Sequence, residues 1–231
     1  MKWIVPALAA LTLAACDNAP EKAADAAPSP SATATPGSAA AMPPGPARRI
    51  VAIGDSLFAG YGLAPGQSYP ARLEAALRKQ GTGVTIVNAG VSGDTSGDIR
   101  RRLAFVLDAQ PTPPDLVLVE LGGNDLLRGL PPAQLRDNLD AILTELDKRK
   151  AKVLVMGMLA PPNLGADYRS AFDPIYPALA KAHGDALVPF FLKAVIAKPE
   201  LVQADHVHPT APGVDAIVAE TLPAVTKQLA D

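Results

Sequence analysis

Five short runs of almost unbroken apolar residues, at 50–53, 84–87, 116–121, 153–156 and 186–188, alternate with helix-length amphipathic stretches. This alternation constrains the fold more than any other feature of the chain. Strands that are apolar at successive positions are buried on both faces. Strands that alternate with helices run parallel and are joined by right-handed crossovers. The intervening stretches read as helices at 69–80, 95–108, 132–150, 173–182 and 211–229. In them Leu73, Ala76 and Leu77, then Ile99, Leu103 and Val106, then Leu135, Leu139, Ile142 and Leu146, recur at helical spacing. Val214, Ile217, Val218 and Leu222 do the same in the last helix, and Pro131-Pro132 opens the third. The expected fold is α/β: a three-layer α/β/α sandwich around one sheet of about five parallel strands. The third run is apolar apart from Glu120.

In such sheets ligands bind beyond the carboxyl ends of the strands. Gly54-Asp55-Ser56-Leu57 follows the first run, and the stretch from Asn88 to Thr95, with Gly90, follows the second. Gly122-Gly123-Asn124-Asp125 follows the third, and Ala160-Pro161-Pro162-Asn163 the fourth. Asp205-His206-Val207-His208-Pro209 precedes the last helix. An isolated serine after a strand is most simply a helix cap. Here it has company. A serine hydroxyl becomes a nucleophile when a base takes its proton, and an imidazole does this when a carboxylate holds its tautomer. Asp205 and His208 lie three apart, so a single turn sets one against the other. Attack on an ester carbonyl creates an oxyanion that preorganised donors must meet. The backbone N–H groups of Ser56 and Gly90 and the side-chain amide of Asn124 are available from three loops.

Gly54-Asp55-Ser56-Leu57, Gly90, Gly122-Gly123-Asn124-Asp125 and Asp205-x-x-His208 resemble, in order and spacing, the four blocks of the GDSL or SGNH hydrolase family. The resemblance covers residues 49–230. Longer stretches at 54–63, 88–95 and 120–130 are similar to the bacterial branch of thioesterases, lysophospholipases and arylesterases. It implies a flavodoxin-like fold and a serine esterase with no metal or cofactor. Ser56 would be the nucleophile, His208 the base and Asp205 its partner, with Ser56, Gly90 and Asn124 forming the oxyanion hole. The implied substrates are small-molecule acyl esters or thioesters: aryl esters, short or medium acyl thioesters, and lysophospholipids. Leu126, Leu127 and Pro162 fall in segments that line the acyl pocket in this branch. Phe58, beside the serine, is expected to narrow that pocket. A carbohydrate O-acetyl esterase on the same fold and a binding module without catalysis are the alternative readings.

His206 stands where related sequences often carry glycine. Spacing favours His208 as the base and leaves His206 at the pocket rim. His183 reads as a helix cap or surface residue, Asp55, Asp94 and Asp125 as loop braces or caps, and Arg100-Arg101-Arg102 as a solvated helix face.

A net charge of -2 and the lack of a long basic run exclude nucleic acid as a natural partner. The single cysteine, Cys16, excludes an intramolecular disulfide and a cysteine metal cluster. Cys16 follows Met1-Lys2, an apolar run from Trp3 and the small residues Ala14-Ala15. That order reads as a secretory leader over 1–15, and the cysteine resembles the lipidated residue of bacterial lipoproteins. Residues 16–47, dominated by Ala, Pro, Ser, Thr and Gly, read as a structureless tether reaching roughly 30 Å or more. The expectation is a monomeric domain at 48–231, lipid-anchored to a membrane of the bacterial cell envelope and facing the periplasm.

Overall fold

A computed structural model describes residues 47–230. The expected leader, Cys16 and the tether up to residue 46 lie outside the described residues. The elements, in chain order, begin with β1 (Arg48–Gly54), α1 (Ser56–Ala59), α2 (Tyr69–Lys79), β2 (Val84–Gly90) and α3 (Ser96–Asp108). β3 (Leu116–Glu120), α4 (Gly123–Leu127), α5 (Pro132–Lys148), β4 (Val153–Met156) and α6 (Gly165–Phe172) follow. The chain then forms α7 (Ile175–His183), β5 (Ala186–Val188) and α8 (Ala211–Ala230).

The five strands form one parallel sheet in the order β2-β1-β3-β4-β5. α2 packs against α8, and α5 against both α3 and α7. Helices therefore cover both sides of the sheet, in the expected three layers. The apolar runs explain the burial: every residue of β3 and β4 is buried, as is β1 from Ile50 onward. β2 is an edge strand, and most of it is only half-buried.

Strand order reverses at β1, between β2 and β3, and the register sets what meets there. Gly54 lies opposite Gly90, and Ile53 opposite Val119. Asp55-Ser56, Val91 and Glu120-Leu121 consequently emerge at one level, at the switch point where open α/β sheets bind ligands.

The two shortest helices, α1 and α4, and the separate α6 were not legible as elements. Each is eight residues or fewer, too short to show an amphipathic period. The helix expected at 173–182 runs from Ile175 to His183 instead, because Pro174 sits at its N-cap. The helix expected at 95–108 starts one residue later. Thr95 caps it, accepting from the Asp98 N–H while the Asp98 carboxylate accepts from the Thr95 N–H.

Three side-chain readings change. Phe58 does not narrow a pocket: it is fully buried under the site, stacked on Tyr69 and edge-on to Phe191. Its place on α1 turns it inward, where three aromatic rings fill the space between α1 and α2. Arg102 is no solvated residue. It pairs with Asp94 at 2.6 Å and donates to the Gly54 carbonyl at 3.0 Å. His183 lies between Asp147, at 2.6 Å, and Asp140, at 3.0 Å. Those bonds outweigh the lowering effect of its burial and raise its pKa.

Candidate active site

Ser56 is the first residue of α1, whose N-cap is Asp55. Asp55 Oδ1 accepts the Leu57 N–H at 3.0 Å, and Gly60, at φ 85°, ends the helix in a left-handed turn. One strand end, one cap and one glycine therefore fix the serine in a single short turn. No acceptor for the Ser56 N–H is found among the described residues. It is one of the free donors of a helix N-terminus.

The segment 202–209 is a narrow loop closed by an antiparallel bridge between Val202 and Pro209. Asp205 Oδ1 accepts the N–H groups of Val207, at 2.9 Å, and His208, at 3.0 Å, in an Asx-type turn. The same carboxylate places Oδ2 2.7 Å from His208 Nδ1. A carboxylate only accepts, so Nδ1 carries the proton and Nε2 presents its lone pair. Nε2 lies 2.8 Å from Ser56 Oγ and accepts from the hydroxyl. Partial burial pushes the Asp205 pKa up, but the bonds from the His208 N–H, the His208 ring and the Val207 N–H dominate. They hold it at about 2. Asp205 is thus an anion throughout the neutral range.

The other loops meet Ser56 from its far side. Gly90 packs so closely on α1 that a Cβ there would lie 2.5 Å from the Ala59 nitrogen. Only glycine permits this approach. The Gly90 N–H donates to the Asn88 side chain at 2.9 Å, and Asn88 Nδ2 ties back to the Phe58 carbonyl at 2.8 Å. Asn124 lies in the first turn of α4. Its amide donates to the Asp94 carbonyl, at 2.9 Å, and to Asp55 Oδ2, at 3.2 Å. Two of the three expected oxyanion donors therefore have internal acceptors, which an arriving oxygen would share or replace. Gly122, at φ 104°, makes the turn into α4, and a side chain there would collide with the Tyr176 hydroxyl.

The braces expected at Asp55, Asp94 and Asp125 are where the sequence suggested. Buried Asp125 accepts from Ser96 N–H and Oγ–H at 2.8 and 2.6 Å, and Asn138 donates to the same Ser96 hydroxyl at 3.0 Å. The helices α3, α4 and α5 are thereby cross-tied around the site.

Ser56 opens onto a cavity of about 380 Å³ with mostly apolar walls. Leu126, Leu127, Pro162 and Asn124 line it, and His206 borders it. The structure adds Met158, Phe190, Leu192 and Ile196, which come from the loops after β4 and β5. Nothing in their local pattern marks them, because the fold alone brings them to Ser56. Two further residues escaped sequence reasoning. The Tyr61 ring lies across His208, with centroids 4.5 Å apart. Gln203 Nε2 bridges the Tyr61 and Pro209 carbonyls, at 2.9 Å each. An aromatic between Gly60 and Gly62, in the loop after a nucleophile, was the available signal for Tyr61. Gln203 had none.

Among the described residues no cluster of His, Cys, Asp or Glu is arranged to hold a metal ion.

A hydroxyl, an imidazole and a carboxylate in hydrogen-bonded series, at the carboxyl edge of a five-stranded parallel sheet, define the class: an α/β/α protein with the site of a serine hydrolase. More narrowly, the chain belongs to the GDSL-like lipase/acylhydrolase family, whose model matches residues 52–216. It is 41% identical over 179 residues to the arylesterase of Vibrio mimicus, covering 76% of this chain and 88% of that protein. It is 41% identical over 163 residues to the thioesterase 1/protease 1/lysophospholipase L1 of Escherichia coli (strain K12), covering 71% of this chain and 76% of that protein. Among solved structures, AlinE4, described as an SGNH-hydrolase family esterase, matches with a TM-score of 0.69 at 60% identity. That match covers 79% of this chain and 97% of AlinE4.

Proposed function

We infer that this protein is a serine carboxylic-ester hydrolase that cleaves acyl esters and thioesters through an acyl-enzyme on Ser56. The observation that carries the reading is the unbroken contact series from Ser56 Oγ to His208 Nε2 and from His208 Nδ1 to Asp205. His208 takes the hydroxyl proton as Ser56 Oγ attacks the substrate carbonyl, and Asp205 supports the imidazolium. The N–H groups of Ser56 and Gly90 and the amide of Asn124 receive the oxyanion. His208 then gives its proton to the leaving alcohol or thiol. A water molecule, deprotonated by the same imidazole, releases the acid and restores Ser56.

The apolar cavity beside Ser56 suits an acyl chain of several carbons, which supports medium-chain acyl groups over an acetyl group. Aryl esters, acyl thioesters and lysophospholipids share that chemistry. The names of the relatives add support: an arylesterase and a thioesterase/lysophospholipase.

The test is turnover of a chain-length series of p-nitrophenyl esters and acyl thioesters by the domain at 48–231. Ser56→Ala is expected to abolish turnover and labelling by a fluorophosphonate while thermal unfolding is unchanged. Wild-type turnover retained in that variant would refute the assignment.

The sequence around Cys16 supports a lipid-anchored protein facing the periplasm. Acyl chains contribute about 0.8 kcal/mol per buried methylene to such anchoring. Mass spectrometry of the mature N-terminus is expected to find Cys16 first and acylated; an unmodified Cys16 counts against the anchor.

A further inference from the structure

Glu120 is the charge that broke the apolar pattern of the third run, and the reaction above makes no use of it. It ends β3 with no exposed surface, directly beside the strand that delivers Ser56. Its Oε2 accepts the Asp55 N–H at 3.3 Å, while its Oε1 is buried with no donor. Asp55, 1% exposed, is the next carboxyl group. Asp55 Oδ1 accepts from Leu57 in the turn that carries Ser56, and Oδ2 accepts from the Asn124 amide. One carboxylate therefore holds both the nucleophile's turn and an oxyanion donor, and Glu120 stands behind it.

Two buried anions in contact are not tolerated, so the pair keeps one proton. Donor count decides where it sits. Asp55 takes two N–H bonds, from Leu57 and Asn124, and Glu120 takes one. Burial, and then the charge of Asp55, raise the pKa of Glu120 well above the ordinary carboxyl value. Burial also raises Asp55, but the Leu57 N–H, the Glu120 side chain, His208 and Asn124 all oppose it. The groups facing the pair supply no competing cation. Tyr176 on α7 gives its hydroxyl to the Leu121 carbonyl, and Asp125 on α4 faces Ser96. Arg102 on α3 is held by Asp94 and the Gly54 carbonyl, and His208 lies beyond Asp55. The two carboxyl groups lie within hydrogen-bonding reach, and a proton on Glu120 leaves no charged oxygen buried without a donor.

We propose that Glu120 is a positioning residue: as a neutral acid it shares its proton with the Asp55 carboxylate and so fixes the oxygen that holds the Asn124 amide in place beside Ser56, where the oxyanion develops. Glu120 touches no substrate. It acts through Asp55, and it explains why a strand buried on both faces keeps a carboxyl group at its end. The inference rests on the esterase reading for its kinetic consequence but not for the shared proton.

The experiment compares wild type with Glu120→Gln, which still accepts the Asp55 N–H and donates an amide hydrogen, and with Glu120→Leu, which does neither. Glu120→Gln is expected to keep kcat within about threefold, and Glu120→Leu to lose about tenfold or more in kcat with KM nearly unchanged. A parallel loss in both variants, or an unchanged kcat in Glu120→Leu, overturns the proposal. Infrared spectra at pH 8 decide the proton directly, even where Glu120→Leu fails to fold. The folded wild type should show the carbonyl stretch of a protonated carboxylic acid and Glu120→Gln should lack it. A wild type without that band overturns the proposal too. A wild type with the band but with neither ester turnover nor phosphonate labelling refutes the esterase reading and leaves the shared proton standing.

Discussion

Asp205 holds His208 twice, through the ring Nδ1 at 2.7 Å and through the backbone N–H of the same residue at 3.0 Å. The carboxylate orients the imidazole and also builds the turn that presents it. Asp205→Asn keeps one acceptor but offers an N–H where the ring needs a carboxylate, so the tautomer is lost. The expected result is a fall in kcat of about a hundredfold to ten-thousandfold with the sheet intact by circular dichroism. Asp205 has a depressed folded pKa of about 2. Its stabilising contribution is complete above the ordinary carboxyl value and is lost as pH falls toward 2. The difference in melting temperature between wild type and Asp205→Asn is therefore expected to be flat at neutral pH and to shrink only in strong acid. A difference that shrinks near pH 6 would contradict the structure.

Phe58 belongs to the core, so its removal should be read in stability, not in specificity. It packs its ring 5.2 Å from Tyr69 and 5.6 Å from Phe191, centroid to centroid. Phe58→Ala is expected to cost about 3–5 kcal/mol in denaturant unfolding. The order of preference across the ester chain-length series should not change below the unfolding transition. A shift in chain-length preference with unchanged stability would return Phe58 to the pocket wall.

His206 adopts φ 60°, the left-handed region that disfavours side chains. A glycine would adopt this conformation without that cost. His206→Gly removes that strain but adds freedom to the unfolded chain. The expected net change is within about 1 kcal/mol, in the stabilising direction, with ester turnover retained. Loss of turnover in this variant would make His206, not His208 alone, part of the proton relay.

Asp185, just before β5, has one carboxylate oxygen buried without a partner. Burial and the charge of Asp147 raise its pKa to about 6, against some relief from His183. A carboxyl group raised on folding favours the folded state while protonated, and that advantage is lost as pH climbs through the folded value. Asp185→Asn should therefore change little near pH 4 and stabilise at pH 8. Allowing for solvent screening of a half-exposed group, the gain is about 1 kcal/mol, or about 2–4 °C in melting temperature. Equal effects at both pH values would show that the charge is not the cause.

The fold was legible because its signals are local and repeated. Runs such as Val117-Leu118-Val119 announce doubly buried strands, and the helical spacing of Leu135, Leu139 and Ile142 announces the covering layer. The candidate site was legible for a related reason. Ser56, Gly90, Asn124 and the Asp205–His208 pair sit in short motifs at strand ends or loops, where small and polar residues stand out against apolar runs. Phe58 was misplaced because proximity to Ser56 in sequence does not tell which way a one-turn helix faces. Arg102 was misread because its partners, Asp94 and the Gly54 carbonyl, lie in the loop before α3 and at the end of β1.

What the chain determined by itself was the parallel sheet, its crossovers and the groups that arrive at its carboxyl edge, since burial pattern and turn chemistry act over a few residues at a time. What only the tertiary structure decided was contact. Ser56 and His208 are separated by 152 positions and lie 2.8 Å apart. The cavity walls come from loops that follow different strands, and Glu120 meets Asp55 only because β1 and β3 are neighbours in the sheet. Side-chain direction and pairing between distant loops depend on how the layers close, and no local pattern of residues encodes that.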